Sequence, residues 1–301
     1  ILRAWANPFG PLGTPLVDIE GAGETIDNLI DALMQAELRL PKVLVLPLVR
    51  LNGPFVWMIR TIAMTRNLPV ATAERDRRPL LENGPDADSF LHSRLSSDER
   101  ALLKAKWSDL EAMGEVTYDV ARQARDVRMR MEEFLALEAH GASNRKRNAL
   151  VTDRYRTAFA REAINNLAEI DSARIHTLNL NGEAIASVVI LMAMGEAYIW
   201  KAAFNARYAN YMPERLLAHR LTEWQLDDAN IIRTDSCVAD DELPVNQLWG
   251  TDAEMGTLVI GLSENSDRDV RQVAAQVHMY RNTRNLAKAL RERIMSLGRK
   301  A

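Results

Sequence analysis

The chain has 301 residues, 47% of them hydrophobic, enough to build one large or two ordinary domains with real cores, so disorder is excluded as the default. Its 38 Lys and Arg against 41 Asp and Glu leave a formal charge of -3, so no global field draws nucleic acid or acidic lipid and any anion site must be local. A single cysteine excludes an internal disulfide framework and a cysteine-based zinc site, and it favours a reducing compartment, so a cytoplasmic location is expected.

No apolar run approaches the roughly 20 residues that cross a bilayer and no basic-then-apolar leader opens the chain, so a soluble protein with no membrane span is expected. The chain begins with Ile1 rather than Met, which implies a native start upstream and a first strand or two left out. Gly13 to Asp18 reads as a loop entering a short extended segment. Ile26, Leu29, Ile30, Leu33 and Leu40 follow helical spacing, Lys42 to Arg50 is rich in branched residues and reads as a strand, and Gly53-Pro54 starts a second helix. Leu68 to Ala73 reads as a further strand. Asp86 to Met113 reads as helices, with Ser96-Ser97-Asp98-Glu99 a capped start and Gly114 a stop.

After a strand at Glu115 to Val120, the residues Val127, Met131, Phe134 and Leu135 form the buried stripe of a helix, and Tyr155 to Ile170 forms the next. Between them Arg145, Lys146 and Arg147 could pair with phosphates or stand on a solvated loop. Asn181-Gly182 is a strong hairpin signal, because both central residues must take positive φ, and Gly195-Glu196 is the second turn. Ala184 to Met194 is nearly continuous apolar sequence, which suits a central strand covered on both faces. Tyr198 to Phe204 then alternates. Pro213 opens a helix with Leu217, Leu221 and Trp224 on one face, ending near Asp227-Asp228, and Asn230 to Cys237 returns as a strand.

Strand, crossover helix and strand form a right-handed unit with parallel strands, whereas the preceding meander is antiparallel. The change of direction makes a switch in the sheet with a helix N-terminus beside it, a place for an anionic, elongated ligand. Beyond it, Asp240-Asp241-Glu242 leads into a short helix to Trp249, and Met255 to Leu262 is a closing strand. The last helix carries Arg271, Arg281, Arg284, Lys288, Arg291 and Arg293, read as a solvated face in preference to a nucleic-acid or membrane contact.

Phe134 to Trp249 resembles the GNAT superfamily of acyltransferases, in particular the bacterial branch of cellulose-biosynthesis-associated acetyltransferases, itself similar to the Fem aminoacyltransferases. The residues that carry the resemblance are FLALEAHG (Phe134 to Gly141), Ala149-Leu150, the Trp-Lys-x-Ala of Trp200 to Ala203, Pro213 followed by Leu216-Leu217, and Asp235-Ser236-Cys237 followed by Leu248-Trp249. Arg78 to Met113 carries it weakly. The implied fold class is α/β with a mixed sheet, a GNAT-like acyltransferase fold of two tandem divergent halves, residues 1–114 incomplete and residues 115–301 holding the acyltransferase domain.

The resemblance implies direct transfer of an acyl group from acetyl-CoA or another acyl-CoA to an amine, with no metal and no covalent enzyme intermediate. The acceptor would be a small-molecule amine or a cell-envelope precursor, and no nucleic acid is expected. The pantetheine would lie along Ala197 to Phe204, with Trp200 and Ala202, and the diphosphate would meet Asn205 to Leu216, with Arg207, Met212, Pro213 and Arg215. In the superfamily the phosphate loop carries small residues, because they let backbone N–H groups approach the phosphates, whereas here it reads Arg207-Tyr-Ala-Asn-Tyr-Met212. Glu214 stands at the positive helix end, where it opposes an anion unless it points away.

Asp235 is a candidate base, and Ser236 or Cys237 a candidate proton source for the leaving thiolate. The other reading has Asp235 capping the next element and Cys237 as a small buried hydrophobe. Lys201 sits in a strand that should be buried, so it needs a partner or a wet cleft and could bind donor or acceptor. His176 and His219 lack metal-ligand companions, and the five histidines make no site. Three functions stay open: a CoA-dependent N-acyltransferase, an aminoacyl-tRNA-dependent transferase of Fem type, and a non-catalytic binding protein of the same fold.

Overall fold

A computed structural model describes residues 1–7, 9–84, 86–141, 149–238, 243–280 and 283. The basic run at 145–147, the acidic run at 240–242 and the C-terminal cations from Arg281 onward lie outside the described residues. By compactness the chain forms two units, Ile1–Arg77 with the C-terminal part from Ala253, and Arg78–Asp252. The division expected at Gly114 thus falls inside the second unit.

In the first unit β1 (Leu2–Arg3) pairs parallel with β2 (Val43–Arg50). The extended segment expected at Gly13 to Asp18 is loop, with the Gly13 N–H bonded to the Leu48 carbonyl. Helix α1 (Ala22–Met34) buries Ile26 and Ile30, whereas Leu29 of the predicted stripe stays 47% exposed. Helix α2 (Pro54–Thr65) starts with Pro in its first turn, where the missing N–H costs nothing. Strand β3 (Val70–Glu82) is far longer than Leu68 to Ala73, because Arg75 and Arg77 alternate outward and keep their charges wet while the backbone stays paired. Strand β9 (Thr251–Gly261) lies between β2 and β3, antiparallel to β2, and Thr257 donates to the Glu74 carboxylate at 2.7 Å. Helical residues 267–280 place Val270 and Val273 on Val43, Val45 and Val259.

In the second unit the end of β3 is followed by α3 (Ala87–Arg94) and α4 (Ser97–Glu111). Ser96 accepts from the Glu99 N–H while Glu99 accepts from the Ser96 N–H, the reciprocal cap that the sequence predicts. Next come β4 (Val116–Ala121), α5 (Ala124–His140), α6 (Arg154–Glu169), β5 (Ala173–Leu180), β6 (Glu183–Ala193) and β7 (Glu196–Phe204). Helix α7 (Pro213–Asp227), β8 (Arg233–Asp235) and α8 (Val245–Leu248) complete the unit. The strand order is β3-β8-β7-β6-β5-β4, antiparallel throughout except for the parallel pair β7 and β8.

Asn181 (φ 52°) and Gly182 (φ 78°) make the first hairpin turn. The second turn is Met194 (φ 52°) and Gly195 (φ 77°), one residue earlier than the sequence reading has it. Glu196 is kept in the strand because its carboxylate takes Arg233 and the Tyr198 hydroxyl, while the Met194 side chain, 96% exposed, meets nothing that forbids the turn. Ile185 to Ile190 of β6 are buried, as expected of a central strand. Leu216, Leu217 and Leu221 bury the inner face of α7 against β6 and β7, each contributing roughly 1.5–3 kcal/mol by leaving water. Helix α5 packs on the opposite face, with Val127, Met131, Phe134 and Leu135 all buried.

Candidate functional site

The site begins where β7 and β8 part. Their parallel ladder joins Glu196 to Arg233, Ala197 to Thr234 and Tyr198 to Asp235, and there it ends. The Ser236 N–H turns instead to the Pro79 carbonyl of β3, while β7 continues to Phe204. The last residues of β7 thus have strand pairing on their β6 side alone among the described residues.

Within β7 the simple alternation read from the sequence is broken. Val189 pairs with Lys201 and Ile190 with Ile199, so Trp200 is an extra residue, a β-bulge. One inserted residue reverses every side chain after it, which puts Ala202 and Phe204 with Ala197 and Ile199 on the α7 face. Lys201 turns to the other face, where its Nζ meets Glu138 Oε1 of α5 at 2.5 Å. Glu138 is nearly buried and its second oxygen accepts the Leu150 N–H at 2.7 Å, so the lysine has the partner that burial demands. Glu138 lies in the FLALEAHG stretch, but nothing in that stretch tells which strand residue it will meet.

On the α7 face, a cavity of about 40 Å³ lies between β7 and α7. Val188, Ile199, Ala202, Phe204, Leu217, Ala218, Leu221 and Val245 give it apolar walls, and Glu214 of the first helical turn is also among the lining residues. The wall residues Leu243, Pro244 and Val245 come from the segment after β8, which the sequence reading treated only as a lead into a short helix.

At the helix start, residues Ala206–Tyr211 coil into tight turns capped by Asn205, whose side chain accepts the Arg207 N–H at 3.0 Å. Tyr208 and Tyr211 pack against the core where a glycine loop would leave space. Met212 takes a left-handed conformation (φ 52°) and Pro213 opens the helix. Arg207 is exposed. Arg215 faces Glu99 of α4 at 3.6 Å, and the Ser96 N–H and hydroxyl hold the Glu99 carboxyl below its ordinary range.

At the fork Asp235 and Ser236 are buried, and Cys237 is half-buried with φ 58°. Asp235 Oδ1 accepts the Cys237 N–H at 2.7 Å and the Ser236 hydroxyl donates to the Val238 carbonyl at 3.2 Å, contacts that shape the turn leaving β8. His176 is fully buried in the core beside Tyr118 and Trp224, and burial lowers its pKa to about 3. His219 lies 3.5 Å from Glu223 on the same helix. Among the described residues no group of three or more His, Cys, Asp or Glu is arranged to hold a metal, and no described helix is long and apolar enough to cross a membrane.

Residues 97–242 match the family model described as acetyltransferase (GNAT) domain. No curated protein matches the sequence. Among solved structures the chain is similar to FemX, with 10% identity, a TM-score of 0.57, and 89% of this chain and 84% of that one covered. It is also similar to the C-terminal domain of a putative lysylphosphatidylglycerol synthetase from Agrobacterium fabrum, with 14% identity, a TM-score of 0.50, and coverage of 86% and 78%. A conserved protein of unknown function from Bacteroides thetaiotaomicron VPI-5482 matches at 10% identity and a TM-score of 0.51, covering 80% of this chain and 76% of that one. At such identities the likeness is one of fold, and the fold is a mixed α/β architecture of GNAT type.

Proposed function

We propose that this chain is an acyl-CoA-dependent N-acyltransferase that moves an acetyl or other short acyl group directly from a thioester to an amine. The observation that carries the reading is the fork between β7 and β8, with an apolar groove along β7 and the N-terminus of α7 at its end. A pantetheine arm is slim, mostly apolar and carries amides, so the walls from Ala202 to Leu221 suit its methylenes and the open edge of β7 its amides. Arg207 and the first turn of α7 would take the diphosphate, assisted by Arg215 once it leaves Glu99.

In this reading the amine nitrogen attacks the thioester carbonyl, the carbon–sulfur bond breaks, and the thiolate takes a proton. Asp235 is the base at the fork and Cys237 or Ser236 the proton source, while Lys201, turned to the α5 face and paired with Glu138, takes no part in the chemistry. Trp200, Ala202, Met212 and Pro213 shape the donor channel. The acceptor is a small-molecule amine or a cell-envelope precursor, handled in the cytoplasm. FLALEAHG and the Asp235-Ser236-Cys237 end support placement in the cellulose-biosynthesis-associated branch, with residues 1–114 a divergent first half.

A second reading, a binding protein of the same fold that has lost the reaction, is favoured by Glu214 on the groove wall and by the Arg215–Glu99 pair. Calorimetry with acetyl-CoA decides between them. Micromolar binding that weakens with salt supports the transferase. No binding at millimolar concentration defeats it, and affinity for aminoacylated tRNA in its place would redirect the proposal to a Fem-type reaction.

A further inference from the structure

The two faces of β7 differ in chemistry, and the bulge at Trp200 decides which residues go to which. With the bulge, Ala202 and Phe204 line the groove and Lys201 meets Glu138. Without it, Lys201 and Ala203 would follow Ile199 onto the groove face, and Ala202 and Phe204 would turn toward α5. That slipped pairing keeps nearly the same number of ladder hydrogen bonds, so backbone energy discriminates poorly between the two. The side chains must choose.

We propose that the Lys201–Glu138 pair is a register lock that holds β7 in its bulged pairing and so builds the donor groove. Glu138 is on a rigid support: it lies in α5, is nearly buried, and its second oxygen is bound to the Leu150 N–H. Leu150 is itself fixed, because its carbonyl accepts from the Thr157 hydroxyl of α6 at 2.8 Å. Slipping β7 would therefore strand a buried carboxylate on one face and push an ammonium between Leu217 and Leu221 on the other. Both penalties oppose the slip, and both vanish when the pair is made neutral. The groove's role as donor site rests on the function proposed above, whereas the register does not.

The test uses the full chain with Glu138→Gln, the neutral double variant Glu138→Gln/Lys201→Met, and Lys201→Arg, which keeps the pair. The pairing is read by nuclear magnetic resonance from cross-strand contacts, Ser187 facing Ala203 in the bulged register and Ala202 in the slipped one. The parent and Lys201→Arg should show the first contact and bind CoA within about threefold of each other. The double variant should show the second contact, alone or mixed with the first, and bind CoA at least about tenfold more weakly, whereas Glu138→Gln alone keeps the ammonium and should hold the first contact. Glu138→Leu/Lys201→Met carries the test where the first double variant does not fold. A double variant that keeps only the Ser187–Ala203 contact overturns the lock. If the parent binds no CoA, the acyltransferase reading fails while the register contacts still decide the proposal.

Discussion

Nδ1 of His176 lies 2.7 Å from the hydroxyl of Tyr118, inside the layer between the sheet and α7. The indole of Trp224 stands at 80° to the imidazole with centroids 4.7 Å apart, and the ring's other nitrogen is buried without a hydrogen-bond partner among the described residues. Burial, and secondarily the charge of Arg174, lower the His176 pKa from 6.5 to about 3, and burial raises that of Tyr118. The folded chain therefore keeps a neutral imidazole that the unfolded chain protonates below its ordinary pKa. Because the unfolded state binds more protons in that window, stability should fall as pH drops, by about 2 kcal/mol between pH 7 and pH 5. Urea unfolding at the two pH values measures it, and His176→Gln should flatten the slope.

Ser96→Ala should cost about 1 kcal/mol, because it removes the oxygen that receives the Glu99 N–H at the start of α4. The effect should reach the helix start of α7, since Glu99 also faces Arg215. Chemical denaturation gives the stability, and the salt dependence of CoA affinity shows whether a loosened Glu99 frees Arg215.

If CoA binds as proposed, Arg207→Ala should weaken it by about five- to tenfold, and Arg215→Ala by less, because Arg207 is exposed while Arg215 already faces Glu99. Glu214→Gly removes a negative charge from the groove and the positive helix end, and should tighten CoA several-fold, about 1 kcal/mol. Dissociation constants at two ionic strengths would check all three. Unchanged affinity in both arginine variants would place the diphosphate elsewhere.

Filling the cavity should be selective. Ala202→Leu adds three carbons into a space of about 40 Å³, so CoA affinity should drop at least about tenfold while stability changes by no more than about 1–3 kcal/mol. A melting curve beside a binding isotherm separates the two, and unchanged affinity would move the donor out of this groove.

Cys237 at φ 58° is held in a left-handed turn by the Asp235 carboxylate. Cys237→Gly should stabilise the chain by up to about 1 kcal/mol by relieving that conformation. Cys237→Ser keeps the backbone strain and removes the thiol. Loss of turnover in both variants would assign the thiol a chemical role, whereas full turnover in both would leave Cys237 to the turn alone.

Sequence reading reached the core of the second unit because its signals are local. Asn181 and Gly182 are residue types that take the positive φ of their turn cheaply, Pro213 fixes a helix start through its own ring, and Ser96 and Glu99 cap each other within four residues. What it missed depends on partners distant in sequence. Arg75 to Glu82 looks too charged for a strand until β8 and β9 supply its pairing. Trp200 looks like one more alternating residue until the shift of register between Val189 and Ile190 shows that the strand bulges there. The sequence points to β7 and α7 for a candidate donor groove, but one wall of the cavity between them, Leu243 to Val245, is read only when the chain after β8 folds back.

The ladder between β7 and β8 is three residue pairs long, a zipper with very few teeth. Moving its fork by one tooth exchanges about one hydrogen bond, roughly 0.5–1.5 kcal/mol, which thermal motion supplies readily. The last tooth pairs Tyr198 with Asp235. If the groove holds a donor as proposed, a slot with such a sliding end would measure its guest by length along the strand, and a bulkier guest would be met by opening one tooth more.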